Sequence, residues 1–457
     1  MKKQSYKLTL RLAKILNVLL LAIPMIVFWN MWYSENVNYQ NTAILVIGGF
    51  VVLYTVYGKI YKSFLISFSP ISEMIYSQGL AVFMADFLTY VMMCLLKNQI
   101  IPAAPMMGVF VAQIILSAIW CSSVHIWYFK MFAPKKTVII HDREQKIEEL
   151  IDTYGLKGKF SVQHAATAEA CIGNKFEVPQ EAEIVFLSGV HSHERNKILK
   201  YCIEKDITVY VLPRIGDLIM SGAKKMHLFH LPFLKIGRYE PVPEYLILKR
   251  LFDIVVALVA LIVLSPVMLV VAAGIKLTDS GPVFYKQKRL TKNGKEFDVI
   301  KFRSMRQDAE KDGIARLSTG EKDQRVTPIG RFIRKVRIDE LPQLFNILEG
   351  SMSIVGPRPE RPEIARQYEK ELPEFSLRLQ AKAGLTGYAQ VYGKYNSSPY
   401  DKLQMDLMYI ANPSFWEDLK IIFATVKILF IPESTEGVEE GMENALENSK
   451  GESKVEI

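Results

Sequence analysis

The sequence predicts three architectures in succession: an α-helical membrane bundle over residues 1–132, an α/β domain on a parallel sheet over 133–243, and a mostly α, monotopic domain over 244–431 that is entered through a re-entrant membrane helix hairpin. Three observations carry that expectation. Four apolar runs crowd into the first 130 residues, short strand-like runs alternate with helical stretches from Thr137, and a fifth apolar run is interrupted in its middle by Ser265-Pro266. The remaining residues, 432–457, form a Glu-rich, nearly aromatic-free tail whose default state is disorder.

The four early runs lie at about Leu16–Tyr33, Ala43–Ile60, Leu80–Leu96 and Met106–Tyr128. A helix that crosses roughly 30 Å of hydrocarbon needs about 20 apolar residues, so each qualifies. Four runs in succession, without a small-residue cleavage pattern, argue against a signal peptide. Lys2, Lys3, Lys7, Arg11 and Lys14 precede the first run, Lys59 and Lys62 follow the second, and Lys130, Lys135 and Lys136 follow the fourth. The other two loops share one lysine, Lys97. The positive-inside rule therefore puts both ends of the bundle in the cytoplasm, as expected of a multi-pass protein of the inner (cytoplasmic) membrane.

From Thr137 the segments 137–141, 160–162, 183–189 and 208–212 read as strands, with helices at Arg143–Tyr154 and Glu194–Lys205 between them. A dinucleotide site would place a glycine-rich turn after the first strand, where the backbone approaches a pyrophosphate. Here the sequence is His-Asp-Arg-Glu-Gln, residues 141–145. This domain is a degenerate Rossmann-like fold with a structural or regulatory part.

The fifth run, 254–275, is long enough to span, yet both flanks are basic: Lys249 and Arg250 before it, Lys276, Lys286 and Lys288 among those after it. Proline removes a helix hydrogen bond, and the Ser265 hydroxyl can help to satisfy what Pro266 frees. A hairpin that enters and leaves by the cytoplasmic face satisfies both flanks. Residues 279–305 read as two strands around a turn at Lys292–Lys295, and 414–430 as a helix that either lies on the membrane or packs on the domain.

The chemistry is bounded by what is missing. The chain has 4 cysteines, none in a close pair, and all 7 histidines precede residue 231. Beyond that point a Cys nucleophile, a His base and a zinc site are excluded, which leaves carboxylates and oxygen-loving metals. Between Arg331 and Glu363 an adjacent Asp339-Glu340 pair sits among basic residues and precedes Pro357-Arg358-Pro359. One carboxylate of such a pair can attack phosphorus while the other holds Mg²⁺, and arginine forks match phosphate oxygens in pairs. The net charge of +9 is thus read as directed at lipid headgroups and phosphate, with no nucleic acid partner.

With these residues assembled, the stretch from about Glu244 to Ile431 resembles the bacterial sugar transferase family, the polyprenyl-phosphate hexose-1-phosphate transferases. The shared motifs are KRLFD (249–253), the interrupted apolar run, GPVFYKQKR (281–289), KFRSM (301–305), DELPQLFNIL (339–348), VGPRP (355–359) and AGLTGYAQVYG (383–393). An N-terminal four-helix bundle and a degenerate dinucleotide-fold domain are features of the longer members, which start extracellular polysaccharide synthesis. The resemblance implies transfer of a sugar-1-phosphate from a UDP-sugar to polyprenyl (undecaprenyl) phosphate at the lipid bilayer, with release of UMP.

It further implies Asp339 as nucleophile through a covalent phosphosugar intermediate, Glu340 as the Mg²⁺ ligand, and Lys301, Arg303, Arg334 and Arg358 as phosphate-binding groups. Pro357 and Pro359 would fix the backbone around Arg358, Ser265 and Pro266 would shape the hairpin, and Gln390 and Lys394 would belong to the substrate pocket. Members often carry Gly-Arg where this chain has Gly393-Lys394, which weakens the assignment of Lys394. A homodimer through the bundle or the α/β domain is a further expectation. The rival readings are a membrane glycosyltransferase that releases UDP and a non-catalytic membrane scaffold or regulator.

Overall fold

The computed structural model describes residues 2–33, 39–142, 147–172, 181–239, 241–278, 281–306, 323, 325–393 and 398–429. The expected acidic tail and Lys394 lie outside them. Contacts divide the chain into two units, Met1–Pro213 and Arg214–Ile457.

The first unit opens with four helices, α1 (Lys2–Tyr33), α2 (Tyr39–Ile60), α3 (Ile71–Lys97) and α4 (Ala104–Met131), each containing a stretch apolar enough to cross a membrane. Lipid tails give apolar helices little reason to associate, so buried polar contacts can set their pairing. Each helix contributes one residue to such a contact: Tyr54 Oη donates to Asn17 Oδ1 at 2.7 Å, while Asn17 Nδ2 (3.2 Å) and Ser117 Oγ (2.7 Å) donate to Gln78 Oε1.

The same unit continues as β1 (Lys135–His141), α5 (Ile147–Thr153), β2 (Phe160–Thr167), α6 (Ala168–Ile172), β3 (Ile184–Ser188), α7 (Ser192–Glu204) and β4 (Thr208–Val211). All pairings are parallel, in the order β2-β1-β3-β4. A parallel sheet covered by helices buries its central strands on both faces, and Val138, Ile139 and Ile140 of β1 are accordingly all buried. The order is the flavodoxin-like variant of the doubly wound sheet; a Rossmann half would run 3-2-1.

The second unit begins with α8 (Ile215–Ser221) and an antiparallel hairpin, β5 (Lys224–Leu228) and β6 (Leu231–Lys235). Then comes α9 (Pro243–Thr278), 36 residues long. The expected break at Ser265-Pro266 does not interrupt it. Pro266 has no N–H for the carbonyl four residues back, that of Ile262, and Ser265 Oγ donates to this carbonyl instead at 2.8 Å. The first and last thirds of α9 pack on the same domain. Near its start Arg250 and Asp253 bond to the chain at Ile347, Leu348 and Ile354, and near its end Met268, Val271 and Ile275 form a core with Phe302 and Ile333.

An antiparallel pair follows, β7 (Phe284–Leu290) and β8 (Glu296–Phe302), closed by the Asn293-Gly294 turn with positive φ at both residues. Next are α10 (Pro328–Lys335), α11 (Gln343–Glu349), β9 (Ser353–Val355), α12 (Pro362–Glu371), β10 (Gly384–Thr386), α13 (Tyr388–Tyr392), α14 (Pro399–Ala411) and α15 (Phe415–Leu429). Of the two readings open for 414–430, contact with the domain is realised: Ile421 is fully buried in the main core, while Trp416 stays exposed.

Candidate active site

The site is built outward from a strand edge. Asn346 of α11 accepts from the Ile300 N–H (3.0 Å) and donates to the Asp298 carbonyl (2.9 Å), which locks α11 to β8. The β8 strand in turn carries Lys301 and leads to Arg303. Its exit anchors α10: the Thr327 N–H donates to the Ser304 carbonyl at 3.0 Å, and the Thr327 hydroxyl caps the helix by accepting from the Gly330 N–H at 3.0 Å. A cap of this kind contributes about 1 kcal/mol. A Cβ at Gly330 would meet the Ser304 carbonyl oxygen at 2.0 Å, so only glycine allows α10 to sit this close to the strand.

After α10 the chain reverses sharply. Arg337 adopts φ 55°, a left-handed conformation that costs a non-glycine residue about 1 kcal/mol or more. The single 3-10 turn that follows, Ile338–Glu340, presents Asp339 and Glu340 side by side, and Pro342 starts α11 directly after it. Strain and dyad are therefore adjacent in the chain.

Lys301 Nζ donates to Glu340 Oε1 at 3.0 Å, and Arg358 Nη2 donates to the same oxygen at 3.1 Å. The side chains of Lys301 and Glu340 are 22% and 14% exposed, whereas that of Arg358 is 42% exposed. These surroundings separate the two carboxyls. Burial alone would push Glu340 up, but Lys301 first, then Arg358 and Arg337, outweigh it and hold the group well below the usual carboxylate range. Burial wins at Asp339, helped by the charge of Glu340 and opposed by Lys301, Arg334 and Arg358, and its pKa is pushed up to about 6. The pair thus offers a firmly anionic Glu340 beside a more basic Asp339, ionised at neutral pH.

The remaining expected residues divide into groups. Arg334 lies in the last turn of α10, within electrostatic reach of Asp339, and its Nη1 is buried without a hydrogen-bond partner among the described residues. Arg303 is 6% exposed, just past β8. Pro357 and Pro359 flank Arg358, and their carbonyls accept from the Gly384 N–H (2.9 Å) and from Arg289 Nη1 (3.0 Å). Gln390, on α13, has both amide atoms buried and unpartnered among the described residues, beside Gly387. The hydrogen bond of Ser265 stays within α9 and reaches no residue of the dyad.

Several residues that organise the site were given no role there by the sequence. Arg250 caps the end of α11 through the Ile347 and Leu348 carbonyls at 2.6 and 2.7 Å. Asp253 accepts from the Ile354 N–H at 3.1 Å, and Lys249 pairs with the buried Asp418 at 2.9 Å. The KRLFD motif is thus a set of structural anchors. Its polar residues could have been suspected, since charges at the edge of an apolar run need partners.

Fold and site together define a membrane-associated protein with a carboxylate pair ringed by cations, an arrangement suited to phosphate chemistry. Residues 244–432 match the model of the bacterial sugar transferases. Over 140 residues the chain is 48% identical to a protein of Bacillus subtilis strain 168, provisionally named an undecaprenyl-phosphate N-acetylgalactosaminyl 1-phosphate transferase, covering 31% of this chain and 77% of that one. The chain belongs to the bacterial sugar transferase family. It is also 38% identical over 239 residues to the UDP-N-acetylgalactosamine-undecaprenyl-phosphate N-acetylgalactosaminephosphotransferase of Aeromonas hydrophila, covering 52% of this chain and 55% of that one. With the UDP-glucose:undecaprenyl-phosphate glucose-1-phosphate transferase of Xanthomonas campestris pv. campestris the identity is 35% over 275 residues, 57% and 56% of the two chains. The chain thus matches these two relatives over about half of their length.

Proposed function

We propose that this chain moves a sugar-1-phosphate from a UDP-sugar to undecaprenyl phosphate and releases UMP, the first membrane step of an extracellular polysaccharide. The observation that carries this reading is the dyad itself: two adjacent carboxyls, with Glu340 bound by both Lys301 and Arg358 and with Arg334 in reach of Asp339. Asp339 attacks the sugar-proximal phosphorus, the phosphoanhydride bond breaks, and UMP leaves with the bridging oxygen. An oxygen of undecaprenyl phosphate then attacks the same phosphorus and expels the Asp339 carboxylate. Two-step transfer lets a soluble donor and a lipid acceptor use one site in turn. Lys301, Arg303, Arg334 and Arg358 neutralise the charge that gathers as two anions meet.

Mg²⁺ typically binds to one or two carboxylates together with substrate phosphates, and the adjacent Asp339 and Glu340 are such a donor set. Glu340 would hold the ion, which would supply further neutralisation of phosphate charge. The orphaned amide of Gln390 is suited to a sugar or phosphate oxygen. The relatives named above act on UDP-N-acetylgalactosamine and UDP-glucose, so a hexose donor, N-acetylated or not, fits this chain.

The packing of both ends of α9 on one domain supports a helix that bends at Pro266 and so enters and leaves by the cytoplasmic face. A crossing helix would carry its two ends to opposite sides, while this domain occupies one. The active site then stays at the interface, at the depth of the lipid phosphate.

The test is nucleotide release by purified protein given Mg²⁺, undecaprenyl phosphate and a panel of UDP-sugars. UMP that depends on lipid and is abolished by Asp339→Asn is the expected result. UDP in its place would assign ordinary glycosyl transfer, and undiminished function of Asp339→Asn would assign a scaffold.

A further inference from the structure

The Arg358 side chain is 42% exposed and donates from Nη2 to Glu340 Oε1 at 3.1 Å, and the point from which it reaches that carboxylate is set by where its backbone is held. The backbone is held at three successive carbonyls by three different elements. The Pro357 carbonyl accepts from the Gly384 N–H at 2.9 Å, the Arg358 carbonyl from Arg378 Nη2 at 2.9 Å, and the Pro359 carbonyl from Arg289 Nη1 at 3.0 Å. The prolines have no N–H to give, so carbonyls are what the segment offers. Gly356 and Gly384 let the chains meet: a Cβ on Gly384 would lie 2.1 Å from the Gly356 nitrogen.

The two arginines are themselves fixed. Arg378, with a side chain 3% exposed, lies in the 3-10 segment Pro373–Gln380 and grips Asp406 of α14 through Nε at 2.8 Å and Nη2 at 2.7 Å. Its Nη1 is 3.6 Å from Glu360. Arg289 of β7 donates to Gln287 Oε1 through Nε at 3.0 Å and Nη2 at 2.6 Å, and its Nη1 lies 3.9 Å from the other oxygen of Glu360. Glu360 therefore ties the two clamps together. The cavity lined by Pro357, Arg358, Glu360 and Arg378 is about 10 Å³, room for about one water.

Burying these ions costs desolvation energy, and an apolar core of equal volume would often be as stable. What the ions provide is geometry: a guanidinium offers several N–H donors in one rigid plane, so one group can bind a carboxylate and a carbonyl together. We infer that Arg378, oriented by Asp406, and Arg289 are positioning residues that place the Arg358 guanidinium against Glu340 for phosphate binding. This rests on the phosphate role proposed for Arg358 above.

A double-mutant cycle tests it. Arg378→Lys keeps a cation for Asp406 and loses the planar fork that reaches the Arg358 carbonyl. The rate of UMP release from UDP-glucose or UDP-N-acetylgalactosamine is measured for wild type, Arg378→Lys, Arg358→Ala and the double variant, whichever donor wild type uses. A misplacement near 1 Å costs up to about 100-fold, so Arg378→Lys should lower kcat/KM by about 10- to 100-fold alone, and by less than about twofold when Arg358 is already alanine. Losses that multiply in the double variant would overturn the inference and leave Arg378 a structural residue. If Arg358→Ala alone leaves the rate unchanged, the phosphate role of Arg358 fails first, and the inference fails with it. Should Arg378→Lys not fold, the same cycle with Arg289→Lys, which loses the Pro359 carbonyl, decides in the same way.

Discussion

The parallel sheet of the first unit and the core of the second are stabilised by different means. In the sheet region, residues 135–211, the charged side chain buried among the described residues is Lys159, and the interior is Val138, Ile140, Val185, Leu187 and their neighbours. The second unit buries Asp253, Arg303, Asp323, Arg378, Asp406 and Asp418. Apolar burial is non-directional, so the sheet is specified by pattern and volume. Ion pairs add little net stability and much direction. The second unit is thus built where placing a few groups matters more than the free energy of holding them.

The largest break in that comparison is at Asp339. Asp339→Asn preserves shape and removes the proposed nucleophile, so UMP release should fall by at least about 10³-fold with the fold intact. The measurement is single-turnover nucleotide release, with circular dichroism alongside. Residual activity near that of wild type would remove the covalent step.

A second effect concerns stability alone. Asp418, 2% exposed, accepts from Lys249 (2.9 Å), Tyr245 (2.9 Å) and Tyr409 (2.8 Å), joining α9, α14 and α15. Asp418→Asn leaves the Lys249 ammonium buried without its counter-ion, and removing one partner of a buried pair costs about 3–5 kcal/mol. Ile140→Val in the sheet is the counterpart, and one lost methylene there should cost about 0.5–1.5 kcal/mol. Denaturant midpoints in detergent check both. Equal costs would mean that the two regions are not built differently after all.

The sequence showed much of this, and its failures follow a rule. Apolar run length located the four early helices, alternating short runs the parallel strands, and turn residues the β7–β8 turn, because each depends on a local pattern. The dyad was legible because two carboxylates among arginines are conspicuous even in one dimension. Pro266 was legible as a defect, but its repair by Ser265 within one turn left a helix where an interruption was expected. Arg289, Arg378 and Arg250 act through backbone carbonyls 70, 20 and 97 residues away, and no spacing encodes such a partner. Asp406 gave a faint signal, a carboxylate inside the apolar pattern of α14. Arg337 gave none, because left-handed backbone at a non-glycine residue is imposed by the neighbours on either side.

A pH-dependent effect bears on the two carboxyls themselves. Asp339 is raised in the folded protein to about 6 and Glu340 is lowered, so of the two it is Asp339 that titrates near neutrality. If the carboxylate is the nucleophile, kcat/KM should be half-maximal near pH 6, level off above about pH 7 and fall about tenfold per unit below about pH 5. Stability should run the other way. A carboxyl whose folded value is raised favours folding while it is protonated, and that contribution is lost as pH rises through the folded value. Asp339→Asn never ionises, so it should be more stable than wild type at pH 7–8, by on the order of 1–3 kcal/mol, and should match it near pH 4. Paired thermal melts at the two pH values make the comparison. A variant that gains stability at the pH where it loses activity would mean that the chain holds Asp339 charged at a cost, as a site organised for reaction requires; equal stabilities at both pH values would mean that Lys301, Arg334 and Arg358 already compensate the charge, and the acid limb of activity would then need another owner.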